Sequence, residues 1–154
     1  MEIVRLVDRP NLLPALAVGY QAEWPRWYGP KGPADAVADL TARLRKDGLP
    51  LGLVAVDGDT PVGAVALAER SIDSHRHLAP WLVGLWVEPQ RRGKGVGALL
   101  VRAAAGEAQR LGITRLYAGT ATAVSLFKRE GWRLIAQGRD NRHAASVFAI
   151  DLGA

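Results

Sequence analysis

VEPQRRGKGVGALL, residues 87–100, joins a short apolar run to a helical one through Gly93, Gly95 and Gly97, with Arg91, Arg92 and Lys94 between and before them. A strand, a glycine turn and a helix start together present main-chain N–H groups that have no intrahelical partner, at the positive end of the helix dipole. Glycine lets that backbone approach an anion more closely than a Cβ would allow. The stretch therefore reads as an anion socket. The segment after it, from Val96 to Leu111 and closed by Gly112, is almost all apolar or alanine and predicts a core helix. The segment before it, WLVGLWV at 81–87, is a nearly continuous apolar run, as a buried central strand requires.

Working outward, EIVRLV at the start predicts a strand closed by Asp8-Arg9-Pro10, and residues 11–20 a short helix with Pro14 in its first turn. QAEWPRWYGPKGP, residues 21–33, packs three aromatics, three prolines and two glycines together and suits an ordered loop. ADAVADLTARLRKDG, residues 34–48, places Ala36, Val37, Leu40 and Leu44 on one helical stripe, with Gly48 as its stop. LGLVAV, the turn DGDTP and VGAVALAE predict a hairpin, and the polar SIDSHRHLAP a loop. After the socket helix, RLYAGT predicts a strand, AVSLFKRE a two-turn helix ended by Gly131, and WRLIAQG with SVFAIDL a terminal pair of strands. The order β-α-α-β-β-β-α-β-α-β-β specifies one α/β (α+β) domain over residues 1–154, a mixed central sheet flanked by helices.

Composition narrows the class. The net charge of +5 rests on twenty basic residues spread along the chain, whereas a nucleic-acid footprint clusters on one face, so no nucleic-acid partner is expected. No apolar run reaches the roughly 18 residues of a membrane span. MEIVRLVDRP lacks the basic head and apolar core of a signal peptide, so a cytoplasmic protein without membrane contact is the expectation. The absence of cysteine excludes disulfides, thiolate metal sites and a Cys nucleophile, and no metal is expected.

Which anion the socket takes depends on spacing. The mononucleotide P-loop needs four residues between its glycines followed by Lys-Ser/Thr, and nothing here matches. GKGVGA does fit the dinucleotide fingerprint G-x-G-x-x-G/A. That fold wants its first glycine close behind the strand and an acidic residue about 20 positions on. Here the turn after Val87 is longer, and residues 108–129 contain no Asp or Glu.

LWVEPQRRGKGVGALL resembles the acetyl-coenzyme A motif of the GNAT acetyltransferase superfamily, Q/R-x-x-G-x-G/A, with Gln90, Gly93 and Gly95 at its fixed positions. The preceding strand, the long helix, the next strand ending in Thr120, and SLFKREGW resemble the family's later segments in order. The likeness covers about residues 50–152, and the first 50 agree in pattern. The resemblance implies direct transfer of acetyl from acetyl-CoA, as co-substrate, to a primary amine of a small molecule or peptide. It implies that the main chain of Arg92, Gly93, Lys94, Gly95, Val96 and Gly97 binds the pyrophosphate, with Thr120 and Phe127 further along the cofactor. The backbone of Leu85, Trp86 and Val87 would pair with the pantetheine arm, on an edge exposed where strand 81–87 splays from 115–118. Gly84 there marks either a bulge or a packing requirement. Homodimers are common in the family.

Transfer to an amine needs a base for an ammonium of pKa about 10, a donor for the tetrahedral oxyanion, and a proton for the leaving thiolate. By resemblance the donor is a backbone N–H among Leu85 to Val87, Leu85 foremost. The family's usual acid, a tyrosine in L-Y-x-x-x-G, is Phe127 here, and its missing hydroxyl forgoes a factor of typically 10²–10⁴ unless water, Tyr117 or Tyr28 substitutes. Thr120 stands where many relatives have asparagine. Glu69, Asp73, His75, His77 and Glu88 are the candidate bases, and a water relay needs none of them. Trp24, Trp27 and Tyr28 form either an acceptor wall for an amine or loop packing, with Glu23 the negative charge nearby. Trp81 and Trp86 read as core. The rival functions are a non-catalytic CoA-binding or sensing module, suggested by Phe127, and an NAD(P)-binding domain.

Overall fold

Near-continuous apolar runs over 51–56 and 62–68, with shorter ones at 116–118 and 147–149, produce strands with two buried faces, and these assemble into one sheet. The computed structural model describes residues 1–140 and 143–153, with the backbone alone for Asp73 and Asp140. Its strands are β1 (Glu2–Arg5), β2 (Leu51–Asp57), β3 (Thr60–Ala68), β4 (Trp81–Val87), β5 (Arg115–Thr120), β6 (Arg133–Asp140) and β7 (His143–Asp151). They lie in the order β1-β2-β3-β4-β5-β7-β6. Every neighbouring pair is antiparallel except β4 and β5. The helices are α1 (Leu13–Glu23), α2 (Pro25–Tyr28), α3 (Ala36–Ala42), α4 (Val96–Arg110) and α5 (Val124–Arg129).

One face of the sheet carries Leu53, Ala55, Val65, Leu67 and Leu82, which pack on Leu100, Val101, Ala104 and Ala108 of α4 and on Phe127, Trp132 and Phe148. Because side chains alternate along a strand, Val54, Val56, Ala64 and Trp86 point the other way, onto Leu16, Ala17 and Tyr20 of α1 and Ala36 and Leu40 of α3. Farther along this second face, Trp81, Tyr117, Val147 and Ala149 are covered by Ile72 from the β3–β4 loop. Helices thus cover one half of the second face and a loop the other, with β4 at the seam.

The first fifty residues depart most from expectation. The helix expected to reach Gly48 stops at Ala42, because the Arg43 N–H turns back to Leu40 while its carbonyl accepts the Gly52 N–H of β2 at 3.1 Å. Val37, placed on the apolar stripe, is 48% exposed, and Ala36 and Leu40 make the contact instead. β1 ends at Arg5, and Leu6–Asp8 is a 3-10 turn. The expected loop 21–33 contributes its first residues to α1 and forms the single turn α2.

α4 is tied to the edge strand by charge as well as packing. Arg5 donates to both carboxylate oxygens of Glu107, at 3.1 and 2.7 Å, and Arg110 reaches the same group. Burial raises the Glu107 carboxyl, but the hydrogen bonds from Arg5 and Arg110 outweigh it and hold the group below its ordinary value of 4.5. A carboxyl lowered in the folded state stabilises the fold above its unfolded pKa, and that contribution disappears as the pH falls through the folded value. Glu107→Gln is therefore expected to be less stable than wild type at neutral pH yet to lose less between about pH 5 and pH 3. Urea melts across that range check this, and parallel pH profiles would contradict it.

Candidate active site

The seam at β4 is built by an extra residue. Ala66 faces Val83 and Ala64 faces Trp86, so Val65 alone stands opposite both Gly84 and Leu85. Such a bulge bends its strand and increases the twist, and Gly84 accommodates it at φ +61°. A Cβ at Gly84 would lie 3.0 Å from Arg43 Nη1 and 3.1 Å from Tyr20 Oη. The Tyr20 hydroxyl donates to the Gly84 carbonyl at 2.7 Å, and Arg43 Nη1 donates to the Tyr20 oxygen at 3.4 Å. Beyond the bulge β4 leaves its parallel neighbour. The two strands pair only at Trp81–Tyr117 and Leu82–Ala118. From Val83 to Val87 the strand has no partner in β5, and two of its carbonyls, those of Gly84 and Val87, accept from the side chains of Tyr20 and Arg92 instead.

At the end of β4 the Glu88 N–H is held by the Val62 carbonyl at 2.9 Å, and a 3-10 turn over Pro89–Arg91 follows. Gly93 and Gly95 have φ of +76° and +88° with open space where a Cβ would stand, so conformation rather than room demands glycine at both. Gly97 has a different reason, since its Cβ would sit 3.2 Å from Leu126 Cδ2 of α5. The first bond of α4 runs from the Leu99 N–H to the Gly95 carbonyl at 3.1 Å. The N–H groups of Val96, Gly97 and Ala98 therefore have no intrahelical acceptor. They open on a cleft of about 450 Å³ lined by Val87, Arg91, Arg92, Gly93, Gly95, Val96, Gly97, Leu126 and Arg129.

The basic residues of the socket divide their work. Arg92 turns toward the strand and α1, donating to the Val87 carbonyl and to Glu23, each at 2.9 Å. Glu23 is thereby paired with Arg92. Arg91 pairs with Asp57 at 2.8 Å. Gln90 and Lys94 are exposed on the turn and do not line the cleft. Thr120 accepts the N–H groups of Thr122 and Ala123 at 3.2 and 2.9 Å, which fixes the entry to α5. Phe127 is 2% exposed, stacked on Phe148 at 5.6 Å and edge-on to Trp132 at 5.1 Å.

On the other face, Trp24 meets Tyr20 edge-on at 5.1 Å, while Trp27 is 38% exposed. Tyr28 is buried and donates to Asp39 at 2.8 Å; burial first, and then that bond, push its hydroxyl well above its ordinary pKa. Tyr117 packs on Trp81 at 5.6 Å. Glu69 is exposed just past β3. His75 and His77 sit 5.7 Å apart on the β3–β4 loop, which Ser74 pins to β6 by accepting the Arg139 N–H at 2.8 Å. The side chain of Asp73 lies outside the described residues. Glu88 is 3.9 Å from Arg91. Among the described residues no group of three or more His, Asp or Glu is placed to hold a metal ion.

Three residues that the sequence did not single out lie at these sites: Tyr20, Arg43 and Arg129. Tyr20, Trp24 and Tyr28 recur at four-residue spacing, and Arg43 follows Ala36 and Leu40 at helical positions i+7 and i+3, so a signal existed for the first two. Arg129 reaches the socket only through the packing of α5 on α4.

A sequence model of the acetyltransferase (GNAT) family matches residues 16–132. No curated protein matches the sequence significantly. Among solved structures, an aminoglycoside 6'-N-acetyltransferase complexed with coenzyme A is 16% identical, with 100% of this chain and 98% of that chain covered and a TM-score of 0.81. A phosphinothricin acetyltransferase from Sinorhizobium meliloti in complex with acetyl-CoA is 17% identical, covering 99% and 88%, with a TM-score of 0.77. A ribosomal-protein-alanine N-acetyltransferase from Brucella melitensis is 20% identical, covering 98% and 99%, with a TM-score of 0.69. At these identities the likeness is one of fold.

Gly84→Ala is expected to destabilise the protein by more than the roughly 1–2 kcal/mol of a left-handed L-residue, because the new methyl group also meets Arg43 and Tyr20. Denaturant unfolding measures this, and a neutral substitution would show that the bulge is not held in this conformation.

Proposed function

The chain belongs to the GNAT acetyltransferase family, and on that premise we propose that it transfers the acetyl group of acetyl-CoA directly to a primary amine. The observation that carries the reading is the continuity of two features at Val87. The unpaired edge of β4 ends where the glycine socket begins, so one molecule with a strand-like arm and a pyrophosphate fits both. The free N–H groups of Val96, Gly97 and Ala98 and the positive end of α4 suit the pyrophosphate. Arg129 supplies a further cation to the phosphates. The backbone from Leu85 to Val87 suits the amide-bearing pantetheine arm as an added strand.

In the reaction the amine nitrogen attacks the thioester carbonyl, the C–N bond forms, and the carbonyl electrons move to oxygen. A main-chain N–H beside the bulge, that of Leu85, donates to this oxyanion from a fixed position. Collapse breaks the C–S bond and releases the thiolate of CoA, which takes up a proton. The amine gives up its own proton to water or to one of Glu69, Asp73, His75 and His77. Direct attack is favoured because the chain has no cysteine to carry an acetyl group. Phe127 offers no proton to the thiolate, and a thiol of pKa about 8.5 leaves without one at a slower rate. That same residue favours a second reading, a CoA-binding module without turnover.

Acetyl-CoA is expected to raise the melting temperature and NAD to leave it unchanged, and Gly95→Val is expected to weaken acetyl-CoA binding by about tenfold or more (~1.4 kcal/mol). Equal shifts with both nucleotides would refute the assignment. A thiol reagent then follows CoA release against a panel of amines, without background from a chain that lacks cysteine. Binding with no release above hydrolysis would favour the sensing module.

A further inference from the structure

We propose that the acceptor carries a carboxylate beside its amine, as a free α-amino acid does, and that Arg43 binds that carboxylate. This rests on the transfer reaction above and names the class of substrate it takes. Arg43 is 8% exposed, the one buried charged side chain among the described residues. Taking a guanidinium out of water is costly unless an anion or a full set of acceptors compensates. Here the compensation is small: the Tyr20 hydroxyl at 3.4 Å and the Tyr20 ring at 5.8 Å. No carboxylate of the described residues pairs with Arg43. Asp39, one helical turn before it, is taken by the Tyr28 hydroxyl, and Glu23 by Arg92.

The unused donors of Arg43 are not walled off. Among the described residues no fully buried side-chain nitrogen or oxygen lacks a partner, so Nε and Nη2, which have none, keep access to solvent. A guanidinium presents these donors as a planar fork matched to a carboxylate. Its position links it to the reaction. Nη1 and Nη2 lie 3.0 and 3.5 Å from where a Cβ would stand on Gly84, the residue before the proposed oxyanion donor. In an α-amino acid the nitrogen and the carboxylate carbon are about 2.5 Å apart, from the two bond lengths and the angle between them. A carboxylate held on Arg43 therefore leaves the amine beside the bulge, where the acetyl group is delivered. A peptide N-terminus or an amino sugar has no carboxylate at that separation.

The test compares initial rates of CoA release for the twenty free α-amino acids, their C-terminal amides, a dipeptide series and an aminoglycoside. At least one free acid is expected to exceed its amide in kcat/KM by about tenfold or more, the worth of a charge-assisted hydrogen bond. Arg43→Gln is expected to erase that preference mainly through KM, and Arg43→Lys to restore part of it. Retention of the acetyl-CoA melting shift certifies that each variant is folded, and if Arg43→Gln does not fold, the acid–amide comparison in wild type decides alone. Equal use of acid and amide, or transfer only to amines that lack a carboxylate, overturns the substrate class and leaves the acetyltransferase reading standing. No transfer to any amine overturns both.

Discussion

The hydrogen bond from Tyr20 to the Gly84 carbonyl is the contact on which the functional half of the molecule depends. A bulge spends one main-chain residue on bending a strand and leaves it short of ladder partners. A side chain must then satisfy the orphaned group, or the strand relaxes to regular pairing. Tyr20 does so from the middle of α1, fully buried, so the first helix and the central strand hold each other in place. The bend carries β4 away from β5 after two pairs, and the unpaired edge follows from it.

The same strand delivers its end to the socket, and the glycines there serve different needs. Gly93 and Gly95 supply a backbone hand that other residues adopt at a cost, while Gly97 keeps α5 close to α4. Arg92 lines the cleft and at the same time ties the turn to β4 and α1. The cradle is thus held in shape by the protein's own contacts, which reduces the ordering required when an anion binds.

Legibility differed along the chain according to how local the causes were. The socket and α4 were legible because glycine spacing and alanine-rich periodicity act within a few residues. The buried run 81–87, the splay and the bulge at Gly84 were also anticipated, the splay by family likeness and the bulge as one of two explanations for that glycine. The helix expected over 34–48 was not, because its end is decided by Gly52 of β2, which takes the Arg43 carbonyl, and nothing near Ala42 announces that partner. Val37 fitted a stripe with Leu40 and Leu44 by spacing and lies outside the contact, since α3 ends at Ala42 before Leu44 and buries Ala36 and Leu40 instead.

The sequence by itself determined the order of strands and helices apart from the single turn α2, the glycine turn at 93–97, the absence of a thiol and the presence of phenylalanine at 127. These depend on residue type and short-range spacing, which a linear string records. Tertiary structure alone decided that Arg43 stands beside the bulge, that Glu23 pairs with Arg92, and that Arg129 joins the socket. Each of these brings together residues far apart in the chain, and the charge a site presents is set by which partners burial leaves to each group.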